Sequence, residues 1–223
     1  MSLRTTSPDG IVVVFSRPSD FAQEATWDEW YRDEHLPTTA KAAGATAATR
    51  WENTDRPHMA VSPVGFTHVA IYEFDDVASG GPKLLDLFDK GPKLPIHSIT
   101  AVEVMRSAGA PWNHRLEPSP EITGQVIAFV GPAERARDAE WNEWLNTIHI
   151  PDMVDSGAFA NASRWVRTQP ARFGPNYLTV YDVTLSDINE AVGLSGAAMA
   201  PAREKGRLLD VHAGGLRASL VPA

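Results

Sequence analysis

The chain has 223 residues, 43% hydrophobic and 22% charged, which is enough to bury a core in one large domain or two small ones. Its net charge of −8 argues against nucleic acid and anionic membranes as partners, and the absence of cysteine excludes disulfides and thiolate zinc sites. The longest apolar run, residues 11–15, is too short to cross a membrane, and the polar N-terminus shows no signal segment. We therefore expect a cytoplasmic protein.

The first half begins with that β-branched run at 11–15, which predicts a buried strand. A helix should follow, because Thr26 and Glu29 form a capping-box pattern. It meets Pro37 and a small-residue turn around Gly44 before a second strand begins. Three further elements complete this half: a strand at 67–75, a less regular helix and a last strand at 99–105.

The second half repeats this order. The string WDEWYRDEHLP at 27–37 recurs as WNEWLNTIHIP at 141–151, an offset of 114 residues, with Trp, Glu, Trp, His and Pro in register. The run at 125–130 predicts the first strand of this copy, and Asp138 is the expected cap of its helix. A further strand is expected at 176–184. The repeat predicts two copies of one structural unit.

The order β-α-β-β-α-β is that of the ferredoxin-like unit, whose right-handed crossovers place both helices on one face of an antiparallel sheet. The bare face must be covered, and two copies can cover each other. We predict an α+β protein: two ferredoxin-like repeats packed sheet to sheet as a pseudo-dimeric α+β barrel. The expected boundaries are 1–110 for the first half, 111–124 for a linker and 125–223 for the second half.

A motif of the form W-x-x-W/Y-x-x-x-x-H-x-P, followed by an Arg-Trp strand, occurs in both halves. Its residues are Trp27, Trp30, Tyr31, His35, Pro37, Arg50 and Trp51, and then Trp141, Trp144, His149, Pro151, Arg164 and Trp165. This motif resembles the dimeric α+β barrel superfamily, particularly its EthD-like branch. The resemblance implies a ligand cleft between each sheet and its helices, often served by one His and needing no cofactor. In superfamily members with haem a late His is the axial ligand, and His97 and His212 are the late histidines here.

Neither a His-x-His pair nor an HExxH string nor an Asp-rich loop occurs, and no Gly-rich phosphate loop follows a strand. We therefore expect no metal site and no cofactor.

Helical spacing predicts an inward stripe made of Trp27, Trp30 and Tyr31. Glu34 continues this stripe where the second half has Ile148, and an inward carboxylate is costly unless it is paired or faces a cavity. Glu34 and His35 are therefore candidates for polar groups in a cleft. The alternatives are structural: Glu34 as a solvated acid at the margin, and His35 tying the helix to a neighbouring strand.

Other candidate residues surround this helix. Arg50 can hold a substrate carboxylate bidentately, although a surface ion pair is the alternative. His68 and Tyr72 lie four residues apart on one strand and share a face, which suits a polar-lined pocket, although Tyr72 could equally belong to the core. We expect a site with His35, Glu34 and Tyr72 as catalytic groups. The expected substrate-binding groups are Trp27, Tyr31, Arg50, Trp51, His68 and His149.

The site residues predict an enzyme of lyase or isomerase type that moves a proton on a small, largely apolar or aromatic catabolite without a cofactor. His35 is the expected general acid/base. The first half is favoured, because its helix carries Asp28, Tyr31, Asp33 and Glu34 where the second has Asn142, Leu145, Thr147 and Ile148. The alternatives are a cofactor-free monooxygenase and a non-catalytic protein that binds a hydrophobic ligand. A small-molecule substrate is the expected partner, and a homodimer is compatible with this interpretation.

Overall fold

The computed structural model describes residues 8–55, 65–90, 94–109, 112–113, 121–170, 175–209 and 212–223. The chain divides into two compact units: one contains residues 8–107, and the other contains nearly all of residues 108–221. Of the predicted linker, residues 111 and 114–120 lie outside the described part. Within the predicted linker, Trp112–Asn113 form a short strand.

The described part of the first half contains four strands and three α-helices. Its elements are β1 (Gly10–Pro18), α1 (Glu24–Trp30), α2 (Leu36–Ala43), β2 (Ala47–Asn53), β3 (His68–Phe74), α3 (Val77–Lys90) and β4 (His97–Ser107). The strands form an antiparallel sheet in the order β4-β1-β3-β2. The helices pack on the face that carries Val12, Val14 and Tyr72, and this contact is the core of the half.

The second half has the same arrangement. Its elements are β5 (Trp112–Asn113), β6 (Gly124–Pro132), α4 (Asp138–Trp144), α5 (Ile150–Asp155), β7 (Asn161–Arg167), β8 (Tyr177–Val183), α6 (Ile188–Glu204) and β9 (His212–Pro222). The order is β9-β6-β8-β7, antiparallel throughout, with β5 on the outer side of β7. The predicted α+β class with two ferredoxin-like repeats is confirmed. Among the described residues, no helix combines the length and apolarity needed to span a membrane.

The helix starts differ from those predicted. The first helical run begins with a 3₁₀ turn at Phe21–Gln23, where the Asp20 carboxylate accepts a hydrogen bond from the Ala22 N–H at 3.0 Å. The capping box at Thr26 is therefore wrong, because Thr26 lies inside α1. Asp138 is likewise the first residue of α4 rather than its cap. Both helices start earlier than the apolar pattern indicates.

A π-helical turn interrupts each of these helices at the same place. It spans Tyr31–His35 in the first half and Leu145–His149 in the second. The Leu36 N–H donates to the Tyr31 carbonyl, five residues back, instead of four. Such turns are rare and are enriched at functional sites. The extra residue rotates every later side chain relative to a regular α-helix.

Candidate functional site

The π turn decides which residues of the first helix face the sheet. The buried positions are spaced by four residues: Trp27, Tyr31, His35 and Thr39. Glu34 is exposed to solvent, so its predicted place on the inward stripe is wrong. The physical reason is the π turn, because a regular helix would carry the stripe from Tyr31 to Glu34.

His35 lies in an aromatic environment. Its ring stacks on Trp30 at 4.6 Å and on Phe88 at 5.9 Å, and the residue is 7% exposed. The Nε2 atom has no hydrogen-bond partner in the described structure. Burial, with a contribution from the positive charge of Arg50, lowers the pKa of His35 to about 4. The imidazole is therefore neutral at physiological pH.

The two tyrosines beside His35 are also buried and neutral. Tyr31 and Tyr72 are both 0% exposed, and burial raises the pKa of each phenol above its ordinary value. The Tyr72 hydroxyl lies 3.1 Å from Thr39 Oγ1, which in turn donates to the His35 carbonyl at 2.6 Å. These contacts tie the helix to β3 and are those of a packed core.

Arg50 is held by the protein itself. Its guanidinium donates to the Asp28 carboxylate and lies 4.7 Å from the centre of the Trp27 ring. His68 is 1% exposed; its Nε2 lies 3.4 Å from the same carboxylate, and its Nδ1 lies 2.8 Å from Thr67 Oγ1. The predicted role of Arg50 in holding a substrate carboxylate requires breaking this ion pair, in which Arg50 is buried and Asp28 is partly exposed.

Trp51 lies away from these residues. Because successive side chains of a strand point to opposite faces, Trp51 points away from the helices that Arg50 faces. Its indole N–H donates to Thr49 Oγ1 at 2.9 Å. The structure therefore groups Trp27, Tyr31, His35, Arg50, His68 and Tyr72, and separates Glu34 and Trp51 from them. The catalytic role of His35 stays a prediction.

A cavity of about 280 Å³ lies in the second half, between the sheet and the helices. Its apolar wall includes Val126, Leu145, Met153, Phe159 and Met199. Its polar groups are His149, Thr179, Tyr181, Ser195 and Arg217. A cavity of about 150 Å³ holds one benzene ring, so this one has room for about two rings. Mostly apolar walls with a few convergent polar groups are typical of a small-molecule site.

Strand register explains how the polar groups of the sheet converge. Ala128 on β6 pairs with Thr179 on β8 and with Arg217 on β9, so the three residues form one row on the face under the helices. Val126 and Tyr181 form the next row on the same face. The small Ala128 leaves room above the sheet between the polar groups on either side.

Two groups of this floor are available for hydrogen bonding to a ligand. Thr179 is 1% exposed, and its Oγ1 has no partner in the described structure. Tyr181 stacks on Phe159 at 4.5 Å, and burial raises the pKa of its phenol, against the opposing effect of two arginines. The phenol therefore keeps its proton at neutral pH and can donate it in a hydrogen bond.

His149 lies on the cavity wall opposite the sheet. Its ring stacks on Trp144 at 5.0 Å with an interplanar angle of 27°. The Trp144 indole N–H donates to the Arg207 carbonyl at 2.7 Å, which fixes the ring that supports His149. The histidine is half-buried, unlike the deeply buried His35. It combines a fixed orientation with access to the cavity.

Sequence reasoning missed Thr179 and Arg217. The sequence marks these two residues only as differences between the repeats. The first half has Val102 at the position of Arg217 and Ala70 at the position of Thr179. A polar residue on an inward-facing strand position can be recognised once the register is known. The sequence does not fix that register.

The environment of His97 does not fit the role of a haem ligand. The His97 Nδ1 accepts a hydrogen bond from the Trp27 indole at 3.0 Å, and its ring is packed among aromatic side chains. The His212 side chain lies outside the described part. Among the described residues, no cluster of three or more His, Asp or Glu could hold a metal ion.

No family profile matches the chain, and no curated relative matches it. Solved structures share its fold. They include a dye-decolorizing peroxidase from Bacteroides thetaiotaomicron, at 9% identity over 98% of this chain and 94% of that one, with a TM-score of 0.63. A variant of the chlorite dismutase from Candidatus Nitrospira defluvii matches at 9% identity over 97% and 93%, with a TM-score of 0.56. A provisionally named monooxygenase from Lactobacillus acidophilus matches at 9% identity over 95% and 93%, with a TM-score of 0.53.

These names correct the expected family and function. The similar structures are named as a peroxidase, a dismutase and a monooxygenase, so the assignment to the EthD-like branch is wrong. The prediction of a cofactor-independent lyase or isomerase is wrong for the same reason. At such low identity the likeness shows the fold alone, because proteins of one fold catalyse many different reactions.

Proposed function

We propose that the protein is an oxidoreductase of the monooxygenase kind, which binds a small aromatic substrate in the second-half cavity and catalyses its oxidation by O₂. The observation that carries the proposal is the cavity itself: a space for about two rings, with His149 on one wall and two hydrogen-bonding groups, Thr179 and Tyr181, on the floor. The name of one structural neighbour, a monooxygenase, supports the reaction class.

His149 acts as the general base in this proposal. Imidazole exchanges a proton at physiological pH, and the stacking on Trp144 holds it toward the cavity. It removes a proton from a methylene group that an adjacent aromatic carbonyl or phenol makes acidic. Tyr181 and Thr179 donate hydrogen bonds to the oxygen on which negative charge develops. The raised pKa of Tyr181 suits this role, because the phenol stays a donor.

The electron-rich substrate anion then reduces O₂. Both C–H bonds of the methylene group are broken and a C=O bond is formed, while O₂ supplies the carbonyl oxygen and one molecule of water. The methylene carbon loses four electrons and O₂ gains four, so no external reductant is required. The apolar wall of Leu145, Met153 and Met199 keeps bulk water from the substrate anion.

The test compares His149→Gln with His35→Gln, the same change at the matched position of the first half. Oxygen uptake is measured with a panel of one- and two-ring aromatic ketones and phenols that carry a benzylic methylene group. His149→Gln should lower kcat on the order of 10²–10⁴-fold, as expected for loss of a positioned base. His35→Gln should leave kcat within a few-fold of the wild type.

Labelled O₂ gives a second readout, because one labelled oxygen should appear in the ketone product. If His35→Gln abolished oxygen uptake while His149→Gln retained it, the chemistry would lie in the first half, as the sequence predicted. Binding of the panel without oxygen uptake would show a non-catalytic binding protein instead.

A further inference from the structure

We infer that the second-half cavity is built for an aromatic carboxylate: Arg217 binds the carboxylate, and one or two rings lie over Ala128 toward Thr179. This inference rests on the proposed function for its choice of site and adds the substrate class. Its evidence is the arrangement of charge and space in the cavity, which holds whether or not the oxidation takes place.

Arg217 is the first part of this arrangement. It lines the cavity from β9, in the row that continues through Ala128 to Thr179. None of the described residues forms an ion pair with its guanidinium. No Asp or Glu is among the residues that line the cavity. Arg217 is exposed to solvent, so its charge is hydrated in the free protein. A carboxylate that enters the cavity beside it would replace this water in the bidentate geometry that arginine prefers.

The second part is the distance between the polar groups. Arg217 and Thr179 are separated by one strand, and adjacent strands lie about 4.8 Å apart, so the two backbones are about 10 Å apart. A ligand anchored at Arg217 therefore has to extend across β6 to reach Thr179. One or two rings span this gap, and the small side chain of Ala128 lies beneath them.

The third part is the space above the sheet. Ser195 and Met199 of α6 face the cavity, and Gly196 and Gly214 line it at positions where an added Cβ would contact nothing within 4 Å. The apolar surface of Phe159 and Met199 suits the faces and edges of aromatic rings. A planar acid thus meets apolar contacts along its rings and a cation at one end.

The experiment measures binding of naphthalene-2-carboxylate and of naphthalene-2-carboxamide by calorimetry in the absence of O₂. The two probes share their rings and differ in charge. The wild type should bind the acid at least tenfold more tightly than the amide. Arg217→Gln should remove this preference and leave the affinity for the amide unchanged. Arg203→Gln, which removes an equal charge from α6 outside the cavity lining, should keep the preference.

Arg217→Lys adds a variant that keeps the charge and loses the bidentate fork, and it should retain part of the preference. Ser195→Leu should lower the affinity for both probes, because the larger side chain fills the cavity. Equal affinity of the wild type for acid and amide would overturn the inference, as would an equal loss of both in Arg217→Gln. Tight binding of the acid with no oxygen uptake from any substrate would contradict the proposed oxidation by O₂ and leave the proposed carboxylate site standing. Oxygen uptake with neutral substrates alone would contradict the proposed carboxylate substrate and leave the proposed oxidation standing.

Discussion

The two halves of the chain share one fold and differ in what fills the cleft between sheet and helices. In the first half, α3 places Leu84 and Phe88 over the sheet, and the Phe88 ring lies 6.0 Å from that of Tyr72. Counted from the first residue of each helix, the corresponding positions of α6 are Ser195 and Met199. A branched side chain and a ring are thus replaced by a small side chain and a flexible one, and the cleft stays open.

The sheet shows the same contrast. The row of side chains under the first helices is Val102, Val14 and Ala70, all apolar. The matching row of the second half is Arg217, Ala128 and Thr179. The first half therefore has an apolar, packed row at this place, and the second half has a cavity with polar groups. Of the titratable residues that distinguish the first helix, Tyr31 is part of the core and Asp28 pairs with Arg50, whereas Asp33 and Glu34 are exposed.

The largest expected effect follows from this difference in packing. Leu84 is 0% exposed, so Leu84→Ala should lower the free energy of unfolding by about 2–5 kcal/mol. Ser195→Ala, at the matched position of α6, removes only a hydroxyl that donates to the Val192 carbonyl at 2.9 Å and should cost about 1 kcal/mol or less. Urea denaturation measures both.

Equal losses in the two variants would contradict the comparison, because they would mean that the second-half cleft is packed as tightly as the first. A loss confined to Leu84→Ala would show that only the first-half cleft is tightly packed.

The second effect is the pH dependence of stability through His35. Its pKa of about 4 in the folded state lies below the ordinary value near 6.5 expected for the unfolded chain. Between these values the unfolded state binds more protons, so stability rises with pH. The contribution of the neutral imidazole should be complete above about pH 6.5 and should be lost as the pH falls toward 4, a difference of about 3 kcal/mol.

The measurement is urea denaturation of the wild type and of His35→Gln across this pH range. Glutamine does not titrate, so the variant should lack this part of the pH dependence, whatever its stability at neutral pH. Parallel pH profiles for the two proteins would show that His35 is not buried as a neutral group.

The fold could be predicted from the sequence because the repeat carries strong local signals. The string from Trp27 to Pro37 and its copy fix the helices, and the β-branched runs fix the first strands. Two copies of the same order leave few alternatives to the ferredoxin-like unit. These signals depend on near neighbours in the chain, which periodicity reports well.

The site was harder to predict, for two physical reasons. A π turn is invisible to a pattern based on 3.6 residues per turn, so Glu34 was placed inward and the stripe missed Thr39. A cavity is set by the absence of bulk, and it depends on which α6 residues lie over which strand residues. Met199 and Ala128 are 71 residues apart, and no local pattern connects them.

The smallest effect concerns charge within the two helix–sheet contacts. Arg50 donates to the Asp28 carboxylate, whereas Arg164 donates to the neutral amides of Asn142 and Asn146 at 2.7 and 2.8 Å. Asp28→Asn gives the first half the amide of the second. The side-chain oxygen still accepts the hydrogen bond, but its negative charge is lost. The free energy of unfolding should therefore fall by about 1 kcal/mol, the difference between charged and neutral hydrogen bonds. Because Asp28 is 32% exposed, the loss should shrink at high salt, where the wild-type pair is screened.

Urea denaturation at low and high salt tests this, with the exposed Glu29→Gln as the control for the change in net charge. If Asp28→Asn matched the wild type at low salt, or if Glu29→Gln lost as much, the ion pair would add nothing to the first half, and the two contacts would be energetically equivalent.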